Sequence, residues 1–207
     1  MVQSTCIHDG YYETMAPDAS PGLLFLKSFL PAFDSLDPTT SLEPFFAPRA
    51  PILMCNNPPI PERTRLPSLE SRRQQLKEFH HEVHTAWDID LSSQDHTTSS
   101  NANGSHNNSE VEQADTRAPY VVPSNSGILK RTVMFESTSR TIFKDDPDEF
   151  AVKVREFNIL ELEGHSADDL QIVEMRIFVD AKPVQARAQQ LRVAYVFGEG
   201  AREAEPQ

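Results

Sequence analysis

Glycine is scarce in this chain, with 7 in 207 residues, and cysteine scarcer, with 2. The glycine deficit bears on function. No phosphate-cradling Gly-rich loop, no dinucleotide fingerprint and no GxSxG nucleophile elbow occurs, so kinase, nicotinamide-dehydrogenase and serine-hydrolase readings have no support. Cys6 and Cys55 are too few for a disulfide framework, and nothing around Cys55 in its Pro/Asn-rich segment would activate a thiolate. Basic charge is also short: Lys and Arg number 19 against 31 Asp and Glu, for a formal charge of −12. Without a basic cluster there is no electrostatic footprint for a phosphate backbone, so nucleic acid is not an expected partner. No apolar run approaches the roughly 20 residues that span a bilayer, so no membrane partner is expected. The opening MVQSTCIHDGYYETM has neither the basic nor the apolar region of a secretory signal, which makes a reducing, cytoplasmic location the expectation.

What is present is unevenly spread. The apolar share is 38 %, and proline is plentiful at 16. The segment Ser92–Ala118 (SSQDHTTSSNANGSHNNSEVEQADTRA) holds almost no core formers, so it cannot offset its ordering entropy and is expected to be a disordered insert. Residues 1–19 and 198–207 are also poor in core formers; 1–19 is expected to be a flexible N-terminal tail and 192–207 a C-terminal tail. The remainder, residues 20–191 interrupted by 92–118, is long enough for one domain with one core.

Within it, Ser20-Pro21 marks a helix start, with Ser as cap and Pro at the first helical position. Leu23, Leu26, Leu30 and Phe33 then recur at helical spacing, and Pro31 should kink or end the helix near its last turn. A second short helix is expected over Thr39–Phe46 and a short strand over Ile52–Cys55. Leu69, Leu76, Phe79 and Val83 mark one face of an expected helix over Ser68–Thr85. Trp87–Leu91 alternates like a strand, with Trp87, Ile89 and Leu91 on one side. The last third carries three further strand-like runs, 128–143, 150–163 and 170–180, joined by short polar turns and followed by a short helix. In the final run Val173, Met175, Ile177 and Val179 share one face; Ile172, Glu174, Arg176, Phe178 and Asp180 share the other.

Two groups invite chemistry. His80, His81 and His84 lie close together, but the zincin pattern needs two His four apart with Glu after the first. His81-Glu82-Val83-His84 is one position short, and His80 is followed by His81, so no metal site is assigned. Glu174, Arg176 and Asp180 recur at period two and so share a sheet face. Facing a cavity, a carboxylate there would have a raised pKa and could move protons near neutrality; facing solvent, these are ordinary surface charges. Glu136, Arg155 and Glu156 carry the same ambiguity on neighbouring strands.

The order of elements resembles a known family. An opening helix, a short helix ending in Glu43-Pro44-Phe45-Phe46-Ala47-Pro48, an Asn-Asn-Pro-Pro segment at 56–59, a long helix and a strand meander ending in Ile177-Phe178-Val179-Asp180 look like the SnoaL-like branch of the nuclear-transport-factor-2-like superfamily. The likeness is one of topology over roughly residues 20–190. It implies an α+β fold in which a strongly curved, mostly antiparallel sheet wraps around N-terminal helices as a cone-shaped barrel with an apolar pocket. It implies a small hydrophobic molecule as ligand and, for the catalytic members, isomerase, cyclase or dehydratase chemistry by acid and base groups without a cofactor. By position Asp180 is the candidate acid or base, with His84, Trp87, Glu174 and Arg176 as candidate substrate contacts. An alternative stands beside this: a non-catalytic module that forms a homodimer through the sheet face or recruits a partner.

Overall fold

In the computed structural model, the residues described are 4–55, 72–92 and 127–191. They form an α+β fold built on one six-stranded mixed sheet. Its strands are β1 (Thr5–Asp9), β2 (Ile52–Met54), β3 (Leu76–Asp90), β4 (Leu129–Phe143), β5 (Val152–Gly164) and β6 (Gln171–Val179). Their order across the sheet is β1-β3-β4-β5-β6-β2, with only β2 parallel to its neighbour β6. Strands β1 and β2 sit at opposite edges, so the sheet is not closed into a barrel.

Helix α1 (Pro21–Asp34) lies against one face of the sheet, burying Leu23, Leu26, Phe29 and Leu30 at the expected spacing. Each such side chain contributes about 1.5–3 kcal/mol by leaving water. Pro31 is accommodated three residues before the helix ends. Ser20 occupies the cap position but makes no capping bond. The Gly22 N–H donates instead to Asp88 Oδ2 of β3 at 2.9 Å, so a carboxylate from the sheet satisfies a first-turn donor. Gly22 is required there: a Cβ would lie 2.5 Å from the Asp88 carboxyl and 2.6 Å from Val133 Cγ2. Arg131 completes the group, donating through Nε to Asp88 Oδ1 at 2.8 Å.

Three expectations are corrected. Residues 76–85, read as the end of a helix, belong to the long strand β3, while 72–75 alone are helical and 68–71 lie outside the described residues. Register shifts between Leu76 and Glu78, and again between Val83 and Thr85, each flip the inward parity. The buried positions thus run Leu76, His81, Val83, Ala86, Asp88, so no unbroken period of two marks the strand. The same shift turns Ala86 and Asp88 inward and leaves Trp87 and Ile89 on the outer face. Over Thr39–Phe46 only a single 3-10 turn forms, at Glu43–Phe45. Residues 4–19, set aside as tail, contribute β1, paired antiparallel to β3, and the buried Tyr12 and Met15. The insert lies outside the described residues apart from Ser92, as does the C-terminal segment from 192.

The meander formed as expected, with one adjustment. A register shift opposite Glu161 and Leu162 brings Ile172, rather than Val173, onto the inner face with Met175 and Ile177. Helix α2 (Lys182–Gln190) follows β6 and buries Val184 and Ala188. It is tied to the β4–β5 turn by Arg187, which donates to Asp146 and holds that carboxyl below the usual carboxylate range.

The inner face is not uniformly apolar. A large cluster under α1 gathers Leu26, Phe29, Val133, Phe135, Leu160 and Met175 among others. A smaller one at the other end of the sheet gathers Leu76, Phe143, Val152, Val154, Val184 and Ala188. Between them the inward positions are polar: His81 of β3, Ser137 and Ser139 of β4, Glu156 and Asn158 of β5.

Candidate functional site

That polar band holds a buried chain of ionisable groups. His81, with 3 % exposure, places Nδ1–H on Asp34 Oδ1 and Nε2–H on Glu156 Oε1, the latter at 2.5 Å. Asp34 is the last residue of α1, and its other oxygen accepts the His81 backbone N–H at 2.8 Å, fixing the helix end to the strand. Glu156 accepts a further bond from Ser137 Oγ at 3.2 Å. The rings of Phe79, at 5.0 Å, and Phe33, at 5.6 Å, flank the imidazole. The Arg72 guanidinium lies over both rings and donates to the Phe33 carbonyl. His80 sets Nδ1 3.3 Å from Asp34 Oδ2, and the buried Tyr12 packs beside His80 with ring centres 6.1 Å apart.

Burial alone would disfavour a charged imidazole, yet Glu156 and Asp34 outweigh it and raise the His81 pKa from 6.5 to about 10. His81 is therefore an imidazolium at neutral pH. Burial, with Glu13 and Asp34 nearby, also pushes the Tyr12 phenol far above its ordinary value. With both carboxylates ionised the Asp34–His81–Glu156 group has a formal charge of −1. The arrangement can hold a proton on the imidazole and pass it between two carboxylates, as a buried acid/base group requires. Among the described residues no cluster has the composition of a metal site.

The residues singled out from sequence lie elsewhere. Glu174 and Arg176 pair with each other at 2.5 Å on the outer face. His84 is exposed, its Nε2 2.8 Å from Thr138 Oγ1. Trp87 packs on Phe157 of the outer face with ring centres 6.3 Å apart. Asp180 is exposed after the end of β6, where Oδ1 accepts the Lys182 N–H at 3.1 Å and opens α2. The structure brings Glu174 and Arg176 together and unites none of these five with the buried group. Asp34 was missed because it sits at the end of an apolar helix, and Glu156 was left ambiguous. A usable signal was present: the apolar inward series Val152, Val154, Leu160, Leu162 is interrupted at Glu156 and Asn158, and Phe135 is followed inward by Ser137 and Ser139.

Away from this group, an open groove of about 510 Å³ by the β5–β6 turn is lined by Pro44, Ala47, Glu163, His165, Asp168 and Leu170 among others. It is open to solvent and contains none of the buried ionisable groups. Compared with models of known protein families the chain matches none, and no curated protein sequence matches it. No helix among the described residues is long and apolar enough to cross a membrane.

Proposed function

We propose that the protein is a small-molecule-binding member of the SnoaL-like class. In this reading the sheet curves around α1 as a cone, and acid/base chemistry on a hydrophobic metabolite proceeds without a cofactor, as isomerisation, cyclisation or dehydration. The observation that carries the reading is the buried Asp34–His81–Glu156 chain between two apolar clusters, on the sheet face that holds the core. Glu156 is the group that exchanges a proton with the ligand; His81 supplies or stores the proton, and Asp34 positions His81. Asp180, the candidate from sequence, is replaced in that role because it is exposed and occupied with the start of α2.

The test is solvent-proton exchange. A panel of cyclic and aromatic ketones is incubated with protein in D2O, and deuterium entering the carbon next to the carbonyl is followed by NMR. The wild type should catalyse uptake into at least one, and Glu156→Gln, folded by circular dichroism, should not. Absence of uptake for every ketone removes the catalytic reading.

A second reading has its own observation. On the outer face Ile7, Trp87, Met134 and Ile159 lie in register across β1, β3, β4 and β5, with Phe157 and Phe178 beside them. Ile7 and Phe178 are 60 % and 43 % exposed, an apolar stripe that suits a homodimer through the sheet. Sedimentation equilibrium of wild type and Phe178→Lys tests it: a concentration-independent monomer in both excludes the dimer.

A further inference from the structure

Asn158 is unexplained by the fold. It is 2 % exposed at an inward position of β5, and its Nδ2 has no hydrogen-bond partner. Its partners in register are Phe135 on β4 and Ile177 on β6, neither of which has a side-chain acceptor. Glu156, two residues along the same strand face, has its Oε1 engaged by His81 and Ser137. A buried amide left unpaired is destabilising, and an apolar residue of similar shape would relieve the cost. Buried polar groups in native proteins are paired in nearly all cases, so each exception asks for an explanation, and a bound partner is one.

We propose that Asn158 is the ligand-orienting residue of the inner face, where its Nδ2–H donates to a carbonyl oxygen of an otherwise apolar small molecule. This rests on the reading of the inner face as a small-molecule site. Successive same-face residues on a strand are separated by about 6.5–7 Å. An oxygen held at Asn158 thus sets the neighbouring carbons of the ligand toward Glu156, while Phe135 and Ile177 present apolar surface to the rest. The selectivity is for an acceptor: a ligand of the same shape without the oxygen leaves the amide unpaired in the complex. Sites built to pair a buried polar group discriminate in this way more sharply than apolar pockets discriminate by a methylene.

Acetophenone and α-methylstyrene provide the probe, since they differ chiefly in carbonyl oxygen against methylene. Binding to the full chain is measured for each by NMR titration of the Asn158 side-chain and Phe135 amide resonances. The wild type should prefer acetophenone by about tenfold, the factor that a free-energy difference of 1.4 kcal/mol produces. Asn158→Leu should bind both and lose the preference; Asn158→Ala serves the same comparison if the leucine variant does not fold. Equal binding of the two probes to wild type, or a preference that persists in the variants, overturns the role of Asn158 and leaves the small-molecule site standing. Failure of both probes to perturb either residue removes the site itself, and this inference with it.

Discussion

Raising the pH should destabilise this protein through His81. In the unfolded chain the imidazole titrates near its ordinary 6.5; in the fold, where burial works against the charge, Glu156 and Asp34 raise it to about 10. A raised pKa contributes stability that is complete below the unfolded value and is lost as the pH climbs through the folded one. The window is therefore pH 6.5 to about 10. Each pH unit of that interval is worth about 1.36 kcal/mol, giving an upper bound of about 5 kcal/mol, comparable to the whole stability of a small domain. Asp34 and Glu156 face His81 from α1 and β5, His80 adjoins Asp34, and Tyr12 adjoins His80. Urea unfolding at half-unit steps from pH 6 to 10 measures the slope. The control is the triple variant Asp34→Asn, His81→Gln, Glu156→Gln, which keeps hydrogen-bonding groups there and leaves only the neighbouring His80 and Tyr12 to titrate. Contributions from lysines, cysteines and other tyrosines are common to both and cancel in the difference. Stability of wild type should fall relative to the triple variant across the window. Parallel curves would refute the assignment of His81 as a buried imidazolium.

Three further outcomes follow from particular contacts. Gly22→Ala forces a Cβ into the Asp88 carboxyl and Val133, and by the usual cost of overpacking should lower stability by about 1–3 kcal/mol in urea unfolding. Asp88→Ala leaves Arg131 buried without its main partner and Gly22 N–H without an acceptor; a loss of about 3–5 kcal/mol is expected, seen as a shift in the urea midpoint without a change in slope. Asp180→Asn keeps an acceptor for the Lys182 N–H on the surface, so stability should change by less than about 0.5 kcal/mol and any ketone exchange activity should be retained.

Much of the fold could be read from the sequence, and the failures share a cause. The opening helix announced itself because one apolar stripe at 3.6-residue spacing faces one core, and the meander because inward and outward residues alternate over most of β4 and β5. Strand β3 was lost where two register shifts broke that alternation. Spacings of three and four between Leu76, Phe79 and Val83 then satisfied a helical template that only pairing with β4 excludes. Strand β1 escaped notice because it is an exposed edge, with little burial to imprint a pattern. The candidate site suffered from the opposite problem. Glu174, Arg176 and Asp180 were conspicuous because they are charged and periodic, but periodicity of charge marks the wet face of a sheet as readily as a cavity. Glu156 and Asn158 were the informative pair, and extending the parity of Val152 and Val154 by two and four residues places both inside. Asp34 could not be assigned from the helix alone, since its partner lies 47 positions away in the chain.

Among the described residues, the buried ionic groups at the two ends of α1 differ in a way that bears on function. Asp88 and Arg131 pair charge with charge, and Asp88 also satisfies the first turn of α1, where the helix dipole favours an anion. Charge pairing and helix capping account for the bonds of Asp88. Asp34 stands at the opposite end of the same helix, where the dipole disfavours a negative charge, and a second carboxylate, Glu156, is buried within reach of the same imidazole. A fold that needed only to fasten α1 to β3 could do so with Asp34, His81 and the backbone bond between them. Glu156 adds a second carboxylate to that fastening, and the strand continues two residues later with an amide whose Nδ2 has no hydrogen-bond partner. At the Asn158 position an apolar residue of similar shape would stabilise the fold at lower cost. In the proposed reading, the adjacency of Glu156 and Asn158 on one strand face is what lets a base and a hydrogen-bond donor address one small molecule.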